Sequence, residues 1–167
     1  ASYADVRIGR YRRQAVATRE RNVTNVSDSE SYGMGVGVLI HGCWGFAATS
    51  RMTKDGSREA AQNAATISRA ARGVHKRRVE LAPVKPVEGT WITPVRRDPL
   101  EVPLEAKIAV LLSANEAAHK VKGIQFVNSG VQALREIKTL LTSEGTNTTQ
   151  TFIRIFPTFS ATAVRTG

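Results

Sequence analysis

The sequence predicts an α+β fold: hairpin-rich antiparallel strands, two helices joined by a long proline-rich loop, and then a second antiparallel strand set. Three observations predict it. Alternating strand patterns occupy roughly the first fifty residues, and they include a glycine-spaced hairpin from Ser29 to Thr49. Two stretches at helical spacing follow, one alanine-rich after Thr53 and one opened by Pro103. Alternating segments resume between Ile124 and Phe156. Strands and helices segregated in this way belong to α+β architecture rather than to a parallel βαβ array.

Each element has its own justification. Ala4, Val6 and Ile8 alternate with Asp5 and Arg7, and the pattern resumes from Gln14 to Glu20 after a polar bend, with Arg21-Asn22 as a turn into Val23–Val26. In the hairpin, Gly33, Gly35, Gly37 and Leu39 share one face of a strand, while Met34, Val36, Val38 and Ile40 share the other. His41-Gly42 falls where a two-residue turn needs positive φ. That register sets Leu39 opposite Trp44, Gly37 opposite Phe46 and Gly35 opposite Ala48, so rings lie over bare backbone. Glycine weakens a strand interior, so a glycine-lined face implies a close neighbour. The alanine-rich helix downstream is the expected one.

That helix is expected from a Thr53 cap to about Arg72, with Ala60, Ala64, Ile67, Ala71 and Val74 as its stripe, widened by Ala61 and Ala65. Between Val79 and Pro103 the prolines at 83, 86, 94 and 99 rule out a regular helix or a central strand, leaving an ordered connection or lid with Trp91 as its anchor, or else a free interdomain linker, which would usually lack the tryptophan. Pro103 suits a first helical position, and Leu104, Ile108, Leu111, Leu112, Asn115 and Ala118 form the inward stripe of a helix that Gly123 ends. Strands are expected at Ile124–Val131, Ala133–Thr142 and Thr148–Phe156, with Ser143-Glu144-Gly145-Thr146 as the last bend.

At 167 residues the expectation is one domain, residues 1–167, with a core burying about 70% of the unfolded surface. No apolar run reaches bilayer-spanning length, so no membrane association is expected. A single cysteine, Cys43, cannot form an internal disulfide and no leader opens the chain, which favours the cytoplasm. Cys43 reads as a buried small hydrophobe.

Lysine and arginine total 24 against 14 acidic residues, for a net charge of +10. Arg7, Arg10, Arg12, Arg13, Arg19 and Arg21 gather around Tyr11, and His75-Lys76-Arg77-Arg78 adds a second block. Arginine beside an aromatic suits nucleic acid or an acidic partner. The blocks fall on separate elements without a helix-turn-helix or zinc-finger pattern, which makes this the second reading of the chain.

Ser29 to Thr49, together with Tyr3-Ala4-Asp5-Val6-Arg7-Ile8, Gly89-Thr90-Trp91 and Asp98-Pro99, resembles the N-terminal domain of the TldD/PmbA family. The Gly45-Phe46-Ala47-Ala48-Thr49 stretch is nearer the TldD side. The resemblance implies a zinc-dependent peptidase whose metal is bound by a C-terminal portion outside this chain. It also implies a PmbA/TldE-like or self-similar partner subunit, an unstructured peptide as substrate, and a role for this domain in enclosing that peptide. The chain opens at Ala1 without methionine, so family segments on both sides are expected beyond it. The family's older name, modulator of DNA gyrase, is no physical evidence of nucleic-acid binding.

No catalytic or metal-ligating set is expected within the chain, and no cofactor. The family's HExxxH pattern is absent, and His41, His75 and His119 are widely separated. Glu116 and His119 share a helix face at i,i+3, but a second such pair is missing, so a solvated face is the expectation. Glu30 matches the family's Ser-Glu dipeptide and is the one acid/base candidate, although a strand-edge position explains it. The glycines alternate strictly and lead into another strand, unlike a phosphate-binding G-x-G-x-x-G turn. Substrate- or partner-binding candidates are Arg10, Arg12, Arg13 and Trp91, and the structural hairpin set is Gly33, Gly35, Gly37, Gly42, Trp44 and Phe46.

Overall fold

The computed structural model describes residues 1–73 and 77–164. Val74, His75 and Lys76 fall outside them, and with them the end of the expected alanine stripe and half of the second basic block. The elements run β1 (Tyr3–Arg19), β2 (Asn22–Ile40), β3 (Cys43–Thr49), α1 (Lys54–Ala71), β4 (Glu88–Ile92), α2 (Leu104–His119), β5 (Ile124–Thr142) and β6 (Asn147–Ala163). The six strands form one mixed, mostly antiparallel sheet in the order β3-β2-β1-β5-β6-β4, and the fold is α+β as expected. The chain divides into two compact units, Ala1–Arg10 with Ser31–Ile92 and Glu136–Thr151, and Tyr11–Glu30 with Thr93–Arg135 and Phe152–Gly167.

In the first unit the hairpin has the expected register, with Gly35 opposite Ala48, Gly37 opposite Phe46 and Leu39 opposite Trp44. Its turn uses positive φ at both His41 (52°) and Gly42 (74°), the geometry that matches the right-handed twist of the strands. Thr53 caps α1, its side chain accepting the Gly56 N–H at 3.1 Å.

The helix lies on the other face from the one expected. Ala60 and Ala64 pack against Val36, Val38 and Ile40, opposite the glycine row. The close approach belongs to Gly45 on β3: a Cβ there would lie 1.9 Å from the Ala64 carbonyl oxygen and 2.5 Å from the Ser68 nitrogen. Ser68, fully buried, donates to the Cys43 carbonyl at 2.6 Å and accepts from the Ile40 N–H at 3.2 Å. A helix that approaches this closely needs small residues facing the sheet, so Ser68 takes the place assigned to Ile67, which is exposed. Cys43 is buried as expected.

The expected bend near residue 10 and the break at Gln132 do not occur. β1 and β5 each run unbroken, because alternation through polar residues is as compatible with one long strand as with two short ones. The first turn lies at Glu20-Arg21 rather than Arg21-Asn22, with Glu20 at φ 56°. The proline-rich segment contributes β4, paired in parallel with β6 at the sheet edge, where prolines nearby are tolerated. Trp91 in β4 is 47% exposed, so the segment is held by backbone pairing rather than by a buried ring.

In the second unit Pro103 sits one position earlier than expected, at the N-cap of α2. Of the expected stripe, Leu111 and Asn115 are fully buried and Leu104, Ile108, Leu112 and Ala118 half-buried, and the stripe is joined by a buried residue it did not include, Lys107. No helix among the described residues is long and apolar enough to cross a membrane.

Gly45→Ala is expected to destabilise the protein by at least the upper end of about 1–3 kcal/mol, since backbone atoms of α1 must retreat. Gly89→Ala, where a Cβ meets nothing within 4 Å, serves as the control and should melt within a degree or two of the parent. Equal thermal melts for the two variants would refute the close approach.

Candidate functional site

The face of the hairpin away from α1 carries a hollow of about 220 Å³, lined by Asp5, Arg7, Gly37, Trp44, Gly45 and Phe46. Strand alternation builds it. Asp5 and Arg7 are two residues apart on β1, as are Trp44 and Phe46 on β3, so each pair shares a face. The glycines between them supply no side chains. A Cβ on Gly35 would lie 2.6 Å from Phe46 Cζ, so that ring covers Gly35, while a Cβ on Gly37 would lie 3.0 Å from Asp5 Oδ2. The ring expected over Gly37 is therefore a carboxylate. Asp5 is only 3% exposed and its Oδ1 accepts from Arg7 Nε at 3.1 Å, whereas the Arg7 side chain is 70% exposed. Tyr3 packs edge-on to Trp44, ring centroids 5.6 Å apart. Burial pushes the Tyr3 phenol up, and the nearby Asp5 and Glu144 charges push it the same way.

The second unit holds a hydrogen-bonded polar cluster beneath α2. Lys107 Nζ donates to Gln14 Oε1 at 2.5 Å, and Gln14 Nε2 donates to Asp28 at 2.8 Å. Arg12 closes the chain with an ion pair to Asp28 at 3.0 Å. Hydrogen bonds from Arg12 and then Gln14 hold the Asp28 carboxyl below its usual range, and burial pulls the Lys107 ammonium down. Further along α2, Asn115 Nδ2 donates to Thr18 Oγ1 and to the Glu20 carbonyl, and Thr18 shares a 2.7 Å hydrogen bond with Ser129. Asp98, next to Pro99, pairs with Arg135 and accepts the Leu100 N–H at 2.8 Å. Burial pushes the Asp98 carboxyl up, but the Arg135 and Leu100 hydrogen bonds outweigh it and hold it below the usual range.

The arginines chosen from the sequence do not converge on one site. Arg12 is committed to Asp28, and Arg10 stacks over the Tyr32 ring at 6.0 Å in the other unit. Arg13 is exposed on β1, and Glu30 is exposed within β2. His119 pairs with Glu20, and Glu116 with Lys120, so the i,i+3 pair on α2 does not act together. His41 occupies the turn, and His75 lies outside the described residues. Among the described residues no three His, Cys, Asp or Glu side chains come together as metal ligands. These residues therefore do not fit the zinc ion that the resemblance implies.

Asp5 and Lys107 escaped the sequence reading. Asp5 looked like the solvent side of a half-buried strand, but in the fold its carboxylate lies against the bare backbone of Gly37. Lys107 did leave a signal, since Lys107, Leu111 and Asn115 recur at i,i+4.

A family model for PmbA/TldA metallopeptidase domain 1 matches residues 4–68. Among solved structures, a candidate modulator of a DNA gyrase from Thermotoga maritima is similar at TM-score 0.78 and 15% identity, over 99% of this chain and 37% of that one. A candidate modulator of DNA gyrase from Bacteroides thetaiotaomicron aligns at TM-score 0.69 and 18% identity, over 96% and 36%. TldE from Thermococcus kodakarensis aligns at TM-score 0.71 and 14% identity, over 98% and 37%. The chain thus spans a little over a third of the length of these structures. No curated protein sequence matches it.

Because the folded Asp98 carboxyl lies below its unfolded value, its contribution to stability is present above the unfolded carboxylate pKa of about 4 and is lost as pH falls through the folded value. Asp98→Asn is expected to cost about 1–3 kcal/mol at pH 7. The gap between the two melting temperatures should narrow as the pH drops below about 4. A gap independent of pH would show that the Asp98–Arg135 pair contributes no charge-dependent stability.

Proposed function

We propose, from the PmbA/TldA domain 1 model that matches residues 4–68, that the chain is the N-terminal domain of a TldD-type metallopeptidase. In this reading it forms part of the wall that encloses an unstructured peptide, in company with a PmbA/TldE-like or self-similar subunit. The observation that carries the reading is the family match over the hairpin region, 4–68, supported by a shared fold across nearly the whole chain. Zinc and the hydrolytic residues belong to the portion of the parent protein outside this chain. What the chain's own residues supply is a surface: a sheet face with a buried carboxylate, exposed aromatics and a guanidinium. The Gly45-Phe46-Ala47-Ala48-Thr49 stretch favours the TldD side.

The test is cleavage of an unstructured peptide by the zinc-loaded parent protein with its partner subunit. Removing residues 1–167 is expected to leave zinc bound elsewhere in the parent but to abolish turnover, while the isolated chain with zinc shows no cleavage. Undiminished turnover by the truncated parent would overturn the reading.

A basic module for nucleic acid or an acidic partner is the alternative, and it rests on the net charge of +10. Arg12 is neutralised by Asp28, so the positive surface is less concentrated than the sequence implies. Duplex DNA binding measured by anisotropy should be weak, independent of sequence and largely lost between low and physiological salt. Tight, sequence-selective binding that survives physiological salt would make the alternative the better reading.

A further inference from the structure

We propose that the hollow over Gly37 is a subsite for a positively charged peptide side chain, with Asp5 as its counter-ion and Trp44 and Phe46 as its aromatic walls. The inference rests on the peptide-enclosing reading and adds to it the class of side chain received.

Three kinds of occupant compete for this hollow, and its chemistry separates them. An apolar side chain would gain contact with Trp44 and Phe46, but it would lie against the Asp5–Arg7 ion pair without offering either group a polar contact. An anion would be drawn to Arg7 but would meet Asp5, whose Oδ1 already holds the Arg7 Nε. A guanidinium or ammonium gains on both counts when it takes the place of the exposed Arg7 side chain, since the carboxylate then attracts its charge and the rings attract it through their quadrupoles.

The molecule itself shows that this carboxylate accepts a guanidinium, because Arg7 pairs with it. Arg7 is 70% exposed and engages Oδ1, while Oδ2 is the oxygen nearest the Gly37 floor. Only glycine keeps that floor open: a Cβ at Gly37 would stand 3.0–3.2 Å from all the carboxylate atoms of Asp5. Phe46 is 57% exposed and Trp44 39%, so both walls are available to a ligand. Gly35 lets the Phe46 ring close onto the strand, with Cζ and Cε2 where a Cβ would otherwise stand.

The test uses the 167-residue chain carrying Trp91→Phe, which leaves Trp44 as the sole indole reporter. Its fluorescence is titrated with acetyl-Gly-Arg-Gly-amide, with the neutral citrulline analogue and with the glutamate analogue. The arginine peptide is expected to give a saturable change, with the citrulline and glutamate peptides weaker by about tenfold or more. Asp5→Asn should bring the arginine peptide down to the citrulline level. Phe46→Leu, at an exposed ring, should weaken arginine binding several-fold and keeps the test available if Asp5→Asn does not fold. Equal binding of arginine and citrulline, preference for glutamate, no saturable change, or indifference to both substitutions would each overturn the subsite. Any of these results alongside a parent enzyme that still needs this domain for cleavage would remove the subsite and leave the peptidase reading standing.

Discussion

The first unit depends on the contact between the Gly45 backbone and the backbone of α1. With no side chain at Gly45, the Ala64 carbonyl and the Ser68 nitrogen come close enough to β3 that any Cβ would collide with them. This closeness dictates the chemistry around it. Ala60 and Ala64, both buried, face the hairpin there, and the side chain at 68 is small yet serves two backbone groups. The Ser68 hydroxyl does this by bonding the Cys43 carbonyl and the Ile40 N–H on either side of the turn. Buried backbone groups at a hairpin end would otherwise lose water without compensation. The turn is thereby tied to the helix, which fixes where Trp44 and Phe46 leave the strand.

The second unit solves its packing by different means. Beneath α2 the buried stripe is Lys107, Leu111 and Asn115, and two of those three must be satisfied by polar groups on the strands. Gln14 and Thr18 lie on one face of β1, and the Glu20 backbone carbonyl follows just past its end, so side-chain and backbone acceptors meet Lys107 and Asn115 of the helix. Such a cluster contributes less to stability than an apolar core of the same volume, because each ion or amide must first be stripped of water. Its effect is on register. A one-residue slip of β1 would withdraw all three partners at once and leave a lysine and an asparagine buried and unpaired.

How much of this was legible in the sequence depended on whether the signal was local. The hairpin turn, its register and the Thr53 cap follow from residues a few positions apart, and the structure has them where the sequence put them. The side of the hairpin that the helix would choose was not legible. Glycine permits close approach on either face, and Gly45 lies on the face of Val36 and Val38, whereas Gly35 and Gly37 lie on the other. The burial of Asp5 was hidden for the same reason, since the glycine its carboxylate lies against is more than thirty residues away. Lys107 was passed over because a lysine is expected at the surface, although its spacing to Leu111 and Asn115 placed it inward. The arginines misled in the opposite direction: proximity along β1 looked like a patch, but Arg12 and Arg10 are engaged by different partners in different units.

One alternating sequence therefore does two jobs on the two sides of a single hairpin. The side of Val36, Val38 and Ile40 is closed by α1 and supplies the core. The side of Gly35 and Gly37 faces away from α1, and the glycines there do not make room for that helix. They let Phe46 and the Asp5 carboxylate lie low over the strand, leaving a shallow hollow with a charged floor and aromatic walls. A surface meant only to be covered by the rest of a protein would gain more from valine at those positions, which favours strands and excludes water. Glycine gives up that stability for a partly charged, aromatic-rimmed surface.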